Sequence, residues 1–150
     1  LIYKDTPVLG VVYAPALDVC YWAKQYEGAF KDGQKLPLKI ESQRKTYKIV
    51  ASRSHMSNET QAFIDAIYTS KEKELVSIGS SLKICLVAEG EADIYPRLGP
   101  TMEWDTGAAH AIVIDAGKQL QKYENGQFSQ HIYNKESTFN KSFIVQAKYQ

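Results

Sequence analysis

Trp104-Asp105-Thr106-Gly107-Ala108-Ala109, running on through Ile112-Val113-Ile114-Asp115-Ala116-Gly117, is the most informative segment of the chain. A carboxylate near the start, three small residues, an apolar run and a glycine stop predict a helix over 104–116. The small residues allow another backbone, or a ligand, to come close. Asp105 reads two ways. It is an N-cap aspartate on a tightly packed helix, or a hard oxygen ligand aimed at a cation such as Mg²⁺. One carboxylate does not make a metal site, so the second reading needs ligands from elsewhere.

Upstream of this helix the rhythm is strand then helix, repeated. Residues 47–51 form a short apolar strand. Ser57-Asn58-Glu59 offer caps, and Phe63, Ile64 and Ile67 recur at helical spacing, which predicts a helix over 58–69. A strand at 74–78 ends in Gly79. Ser80 then caps a helix over 81–89 that Gly90 stops, and a strand at 92–95 ends at Pro96. This alternation is an α/β pattern. Residues 1–3 and 8–14 read as a hairpin about Lys4-Asp5-Thr6-Pro7. With 19–22, Ala29-Phe30 and the turn Lys31-Asp32-Gly33, they give an antiparallel meander. Residues 35–46, polar and containing Pro37, form a connector. The tail is turn-rich around Glu124-Asn125-Gly126 and closes on a strand at 143–147. The expected organisation is a remnant antiparallel sheet domain with its connector at 1–46, followed by a C-terminal α/β domain at 47–150.

Composition narrows the function classes. The 150 residues are 44% hydrophobic and 23% charged, ordinary for a globular chain with a real core. A net charge of +1 gives no general attraction to a nucleic-acid polymer or a membrane surface. Recognition of a phosphate must therefore be local. Cys20 and Cys85 sit in apolar runs with no CxxC spacing, and they read as two buried free thiols, in keeping with a cytoplasmic protein at most peripheral to a membrane. No apolar stretch reaches the ~20 residues of a membrane span.

Three further groups could carry chemistry. Gly79-Ser80-Ser81-Leu82-Lys83 places two hydroxyls and a lysine where a helix begins, an arrangement that attracts phosphate. Lys83 lies in an otherwise apolar helix, so its ammonium needs either an anionic partner or an escape to solvent. Arg97, in Tyr95-Pro96-Arg97, has the planar fork suited to bidentate phosphate contact, or is a solvated loop charge. His55, in Ala51-Ser52-Arg53-Ser54-His55, could bond a ligand or be structural. His110 and His131 have no catalytic company in the sequence.

Singly these signals are weak, but their order is specific. Trp-Asp-x followed by three small residues, with Ala-Gly at the helix end, resembles the C-terminal motif of the inositol monophosphatase superfamily. The groups at 51–55, 79–83, 88–93 and 95–97 are similar to its 3′(2′),5′-bisphosphate nucleotidase branch, and Val11-Val12-Tyr13-Ala14-Pro15 looks like a family strand. The resemblance covers about residues 1–117. It implies an α/β fold of the inositol monophosphatase type, an α+β sandwich, and a Mg²⁺-dependent phosphatase. The substrate implied is a small-molecule nucleotide bisphosphate: adenosine 3′,5′-bisphosphate would lose its 3′-phosphate to give AMP. Carried over, Asp105 is a Mg²⁺ ligand, Ser80, Lys83 and Arg97 contact the substrate, and His55 lines the same cleft.

The chain departs from that family in one respect. The family's Asp-Pro-(Leu/Ile)-Asp-Gly-Thr segment, which carries further metal ligands and the water-positioning threonine, does not occur. The expectation is an incomplete copy in which the catalytic groups lie outside these 150 residues. Inositol or sugar phosphatase activity on the same scaffold, or a non-catalytic remnant, are the alternatives.

Overall fold

The computed structural model of the chain describes residues 1–40, 43–51 and 56–148. β1 (Ile2–Tyr3) and β2 (Thr6–Pro7) make a small hairpin, with Lys4 in the left-handed region at φ 56°. The hairpin is therefore tighter than the sequence suggests, because Thr6 and Pro7 belong to a strand. The chain then runs through β3 (Leu9–Ala14), β4 (Val19–Lys24), β5 (Gly28–Lys31) and β6 (Gln34–Lys35). These form a four-stranded antiparallel sheet in simple sequential order, the expected meander.

The larger sheet starts at β7 (Thr46–Val50). It continues through α1 (Asn58–Ala66), β8 (Glu72–Val76), α2 (Leu82–Ala88), β9 (Ile94–Arg97), β10 (Thr101–Met102) and α3 (Glu103–Asp115). The tail adds β11 (Lys118–Glu124), β12 (Gln127–Gln130), β13 (Phe139–Asn140) and β14 (Phe143–Ala147). Six strands join in the order β12-β11-β14-β9-β7-β8. β7 is parallel to β8 and β9, and the remaining neighbours are antiparallel. The tail is not merely turns. Asn125 and Gly126, with φ of 52° and 79°, close a two-residue hairpin that supplies an edge strand.

Strand periodicity builds the layers. Val50, Tyr95, Phe143 and Val145 face the cluster that holds α2 and α3. Their neighbours Ile49, Ile94 and Ile144 point the other way, onto Ile64 and Phe63 of α1. α2 and α3 thus lie between the two sheets, with α1 outside. The inner cluster is shared by Tyr21, Ala23 and Ala29 of the small sheet and by Val87, Ile112 and Val113 of the helices. The small residues of α3 explain how closely they pack. A Cβ on Gly10 would stand 2.0 Å from the Ala108 carbonyl oxygen, so β3 crosses α3 at a glycine. The small residues thus admit another backbone.

Element ends differ by a few residues, each for a local reason. Ser57 Oγ accepts the Thr60 N–H at 3.2 Å, but Ile67 turns extended and stops α1 at Ala66. α2 is shorter than 81–89, and Ser80 does not cap it. β9 runs on through Pro96 to Arg97. It pairs with β7 only through Ile94, so the missing N–H of Pro96 interrupts no ladder on that side. Cys85 is buried and free, as expected, while Cys20 is only partly covered. No helix among the described residues is long and apolar enough to cross a membrane. The outer face of the small sheet leaves Leu9, Val11 and Tyr13 exposed, beside a Trp22–Phe30 stack at 4.3 Å.

Candidate functional site

Ser80 and Lys83, Arg97, and Asp105 come from three separate stretches of chain, and they line one cavity of about 290 Å³. Ser81, Ile84, Tyr95, Pro100, Thr101, Thr106 and Phe143 complete its wall. The floor is the edge-to-face pair Tyr95–Phe143, with ring centroids 5.9 Å apart. His55 lies outside the described residues.

Each side chain is placed by its element. β9 carries Tyr95 and Arg97 two residues apart, so both fall on the face toward α2 and α3. Its unexpected length makes Arg97 the last residue of a central strand, opposite Phe143, and not a loop charge. Arg97 Nη2 donates to the Pro100 carbonyl at 3.2 Å, while its Nε is buried without a partner among the described residues. Lys83, half-buried, is on the first turn of α2. Burial, and then the nearby Arg97 guanidinium, hold its ammonium below the usual lysine range. Neither cation is in an ion pair among the described residues. α2 has only seven residues, so attraction for an anion rests on these two side chains and not on a helix dipole.

Ser80 is exposed and sits at φ 53°, a left-handed conformation that costs a non-glycine residue roughly 1–2 kcal/mol. Ser81 is the N-cap residue of α2 but makes no side-chain capping bond: its hydroxyl donates to the Asp105 carbonyl oxygen at 3.2 Å, tying the two helices together at the cavity mouth. Asp105 is the third residue of α3, with Met102 as N-cap. One carboxylate oxygen, Oδ2, accepts the Met102 N–H at 2.8 Å. The other has no hydrogen-bond donor among the described residues. The capping and metal-ligand readings of Asp105 are therefore compatible. The exposed carboxylate and the Arg97 guanidinium both bear on Tyr95, whose phenol is pushed up by burial, lowered by Arg97 and raised by Asp105.

An isolated carboxylate oxygen with free lone pairs fits a Mg²⁺ ligand. It fits as one ligand only: among the described residues no three His, Cys, Asp or Glu side chains are grouped to hold a metal. A larger hollow of about 500 Å³, lined by Lys122, Lys135 and Lys141, differs in kind. Its ammonium groups are already paired with Glu124 and Glu103.

Behind the cavity wall is a cluster that the sequence did not announce. His110, Tyr133, Thr106 and Asn140 are buried and mutually hydrogen-bonded. His131 packs edge-on against His110 with centroids 5.8 Å apart. Among the cavity residues, Tyr95 and Thr106 had a legible signal. Tyr95 shares strand parity with Arg97, and Thr106 follows Asp105. Tyr133 and Asn140 had none, because they reach the site from a tail without periodicity.

The chain matches the inositol monophosphatase family over residues 1–148. It is 41% identical over 150 residues to the 3′(2′),5′-bisphosphate nucleotidase CysQ of Buchnera aphidicola, covering 98% of this chain and 55% of that protein. It is 44% identical over 126 residues to the enzyme of the same name from Salmonella typhimurium, covering 83% and 49% respectively. The crystal structure of CysQ from Bacteroides thetaiotaomicron superposes with a TM-score of 0.86 at 40% identity, over 97% of this chain and 59% of that one. A staphylococcal inositol monophosphatase bound to inositol monophosphate gives a TM-score of 0.70 at 24% identity, a likeness of fold. The chain spans about half the length of the curated relatives it matches.

Proposed function

From its membership of the inositol monophosphatase family, we propose that this chain carries the substrate-binding half of a 3′(2′),5′-bisphosphate nucleotidase site. The reaction removes the 3′-phosphate of adenosine 3′,5′-bisphosphate and gives AMP and phosphate. The observation that carries this reading is the convergence of Lys83 and Arg97, without ion pairs among the described residues, beside the exposed carboxylate of Asp105. Two unpaired cations at one cavity are costly unless an anion joins them. A phosphate supplies that anion, and a bisphosphate can supply one for each side of the site. The nucleotidase names of the CysQ relatives support the nucleotide over an inositol phosphate.

In this reading Arg97 presents its guanidinium from a rigid strand end, and Lys83 adds a point charge from α2. Anion binding relieves the Lys83–Arg97 repulsion and restores the ammonium toward its ordinary range. The Ser80 hydroxyl is available to a phosphate oxygen, and the Tyr95–Phe143 floor excludes water below it. Asp105 offers one oxygen to Mg²⁺, and the remaining ligands come from outside the described residues. What bound Mg²⁺ supplies is neutralisation of phosphate charge and a more acidic water.

The test compares two proteins. One is the 150-residue chain, and the other holds the same residues within a chain of the relatives' length. Phosphate release from adenosine 3′,5′-bisphosphate is followed with Mg²⁺. The long form turns over and the 150-residue chain does not, because Asp105 alone cannot assemble the metal site. Turnover by the 150-residue chain at the rate of an intact CysQ would sink this reading.

A further inference from the structure

The first turn of α3, which presents Asp105, is held from behind by the segment 131–140. Three anchors are involved. The first is a directional chain of hydrogen bonds. Tyr133 Oη donates to Thr106 Oγ1 at 3.1 Å, and Thr106 Oγ1 donates to the Glu103 carbonyl at 3.2 Å. A phenol has one proton. With that proton given to Thr106, His110 Nδ1, 3.0 Å from the phenol oxygen, must carry a hydrogen and donate it there. Asn140 Nδ2 also donates to Thr106 Oγ1, at 3.2 Å, so the proton and both lone pairs of that hydroxyl are used. Such one-way chains strengthen each member.

The second anchor is Glu103. Its N–H donates to the Thr138 carbonyl at 2.9 Å. Its carboxylate accepts the N–H groups of Asn134 and Lys135 at 3.0 and 3.2 Å, and it pairs with the Lys135 ammonium. The third anchor is a short ladder in which Thr101 and Met102 pair with Asn140 and Phe139. Residues 101, 102, 103 and 106 are thus all tied to 131–140. The Asp105 carboxylate is not. It accepts the Met102 N–H, and the ladder fixes Met102 in turn.

We propose that Tyr133, Thr106 and Asn140 are positioning residues for Asp105, locking the turn from which its free oxygen is presented. This rests on the reading of Asp105 as a metal ligand in the phosphatase site. A ligand must be held within about 0.5 Å of its working position, and loss of an orienting partner weakens a metal site by about 10–100-fold. Lys83 and Arg97 stand on other elements, α2 and β9. Loosening the clamp therefore separates two quantities that a general loss of structure would move together.

The variants are Tyr133→Phe, Thr106→Val and Thr106→Ser. In a chain of the relatives' length, Tyr133→Phe and Thr106→Val raise the Mg²⁺ concentration for half-maximal phosphate release by about tenfold. For Tyr133→Phe, which lies outside the cavity wall, the KM for adenosine 3′,5′-bisphosphate at saturating Mg²⁺ changes less than about twofold, because Lys83 and Arg97 are untouched. Thr106→Ser, which keeps the hydroxyl, restores the Mg²⁺ response. In the 150-residue chain, hydrogen exchange at the Met102 and Glu103 amides quickens in Tyr133→Phe, while the second half of α3 keeps its protection. Uniform quickening along α3, no change at Met102, or an unchanged Mg²⁺ response in a less stable protein each overturns the proposal. If Thr106→Val does not fold, Tyr133→Phe, which deletes a single oxygen, decides. Absence of Mg²⁺-dependent phosphate release at any chain length defeats the phosphatase reading, whereas the clamp stands or falls on the exchange measurement.

Discussion

Two polar clusters meet at the first turn of α3, and they are built on opposite rules. In front, Lys83, Arg97 and Asp105 are charged, lie at or near the surface, and have no ion pairs among the described residues. Behind, Thr106, Tyr133, His110 and Asn140 are uncharged, buried and mutually bonded. A buried polar group without a partner costs about 1–3 kcal/mol, so the rear cluster is satisfied internally and fixes a geometry. The front cluster is left open at a cost that a ligand would offset. The difference separates residues that wait for something from residues that hold something still.

The strongest way to test the front cluster is Asp105→Asn in a chain of the relatives' length. The amide keeps an oxygen for the Met102 N–H and removes the charge. Turnover should fall about 100-fold or more, with unfolding free energy changed by less than about 0.5 kcal/mol. Near-normal turnover at limiting Mg²⁺ would mean that Asp105 is only a helix cap.

Lys83→Ala and Arg97→Ala should each raise the KM for adenosine 3′,5′-bisphosphate by about 10–100-fold, the worth of a charge-assisted contact. The rise for an inositol phosphate should be smaller. Parallel measurements on both substrates check this, and equal losses would remove the argument for a nucleotide-specific role.

The rear cluster is probed by acid. Burial, and then His131, hold His110 down to about 3. Burial first, with the Lys135 charge next, holds His131 down to about 4. Both lie below the unfolded value near 6.5. Between these limits the unfolded chain binds more protons than the folded one, so stability is fully present above pH 6.5 and falls as pH drops. Each histidine contributes a slope of up to about 1.4 kcal/mol per pH unit. Urea unfolding at pH 7 and pH 5 measures it, and a flat profile would show that the cluster is not sealed from protons.

The smallest effect is expected far from both clusters. Val11 is exposed on the outer face of the small sheet with Leu9 and Tyr13. Val11→Lys should change stability by less than about 0.5 kcal/mol. It should still reduce self-association of the 150-residue chain, because an apolar sheet face is a docking liability. Light scattering against concentration would register the change.

Much of this was legible. The motif at 104–117 marks α3 and its glycine stop, and the sequence marks Ser80, Lys83, Arg97 and Asp105, which share a cavity. What misled was punctuation. Pro96 reads as a strand end, yet β9 passes through it and places Arg97 on a rigid element. Asn125-Gly126 reads as a turn and is one, but the strands β11 and β12 that it joins into a hairpin of the main sheet go unread. For Pro96 the cause is that the neighbouring strands β14 and β7 decide whether it lies in a ladder, and they are distant in sequence.

By itself the sequence determined the local chemistry. Helix periodicity, glycine stops and strand alternation are short-range properties of side-chain spacing, and motif order pointed to a phosphate site. Which charges lack partners, and which polar groups are satisfied, follows from the packing of distant segments. Tyr133 and Asn140 reach Thr106 across 27 and 34 residues of chain. Lys83 meets Arg97 only because α2 and β9 pack together in one layer. Whether a polar atom is satisfied depends on everything folded around it, which no window of sequence contains.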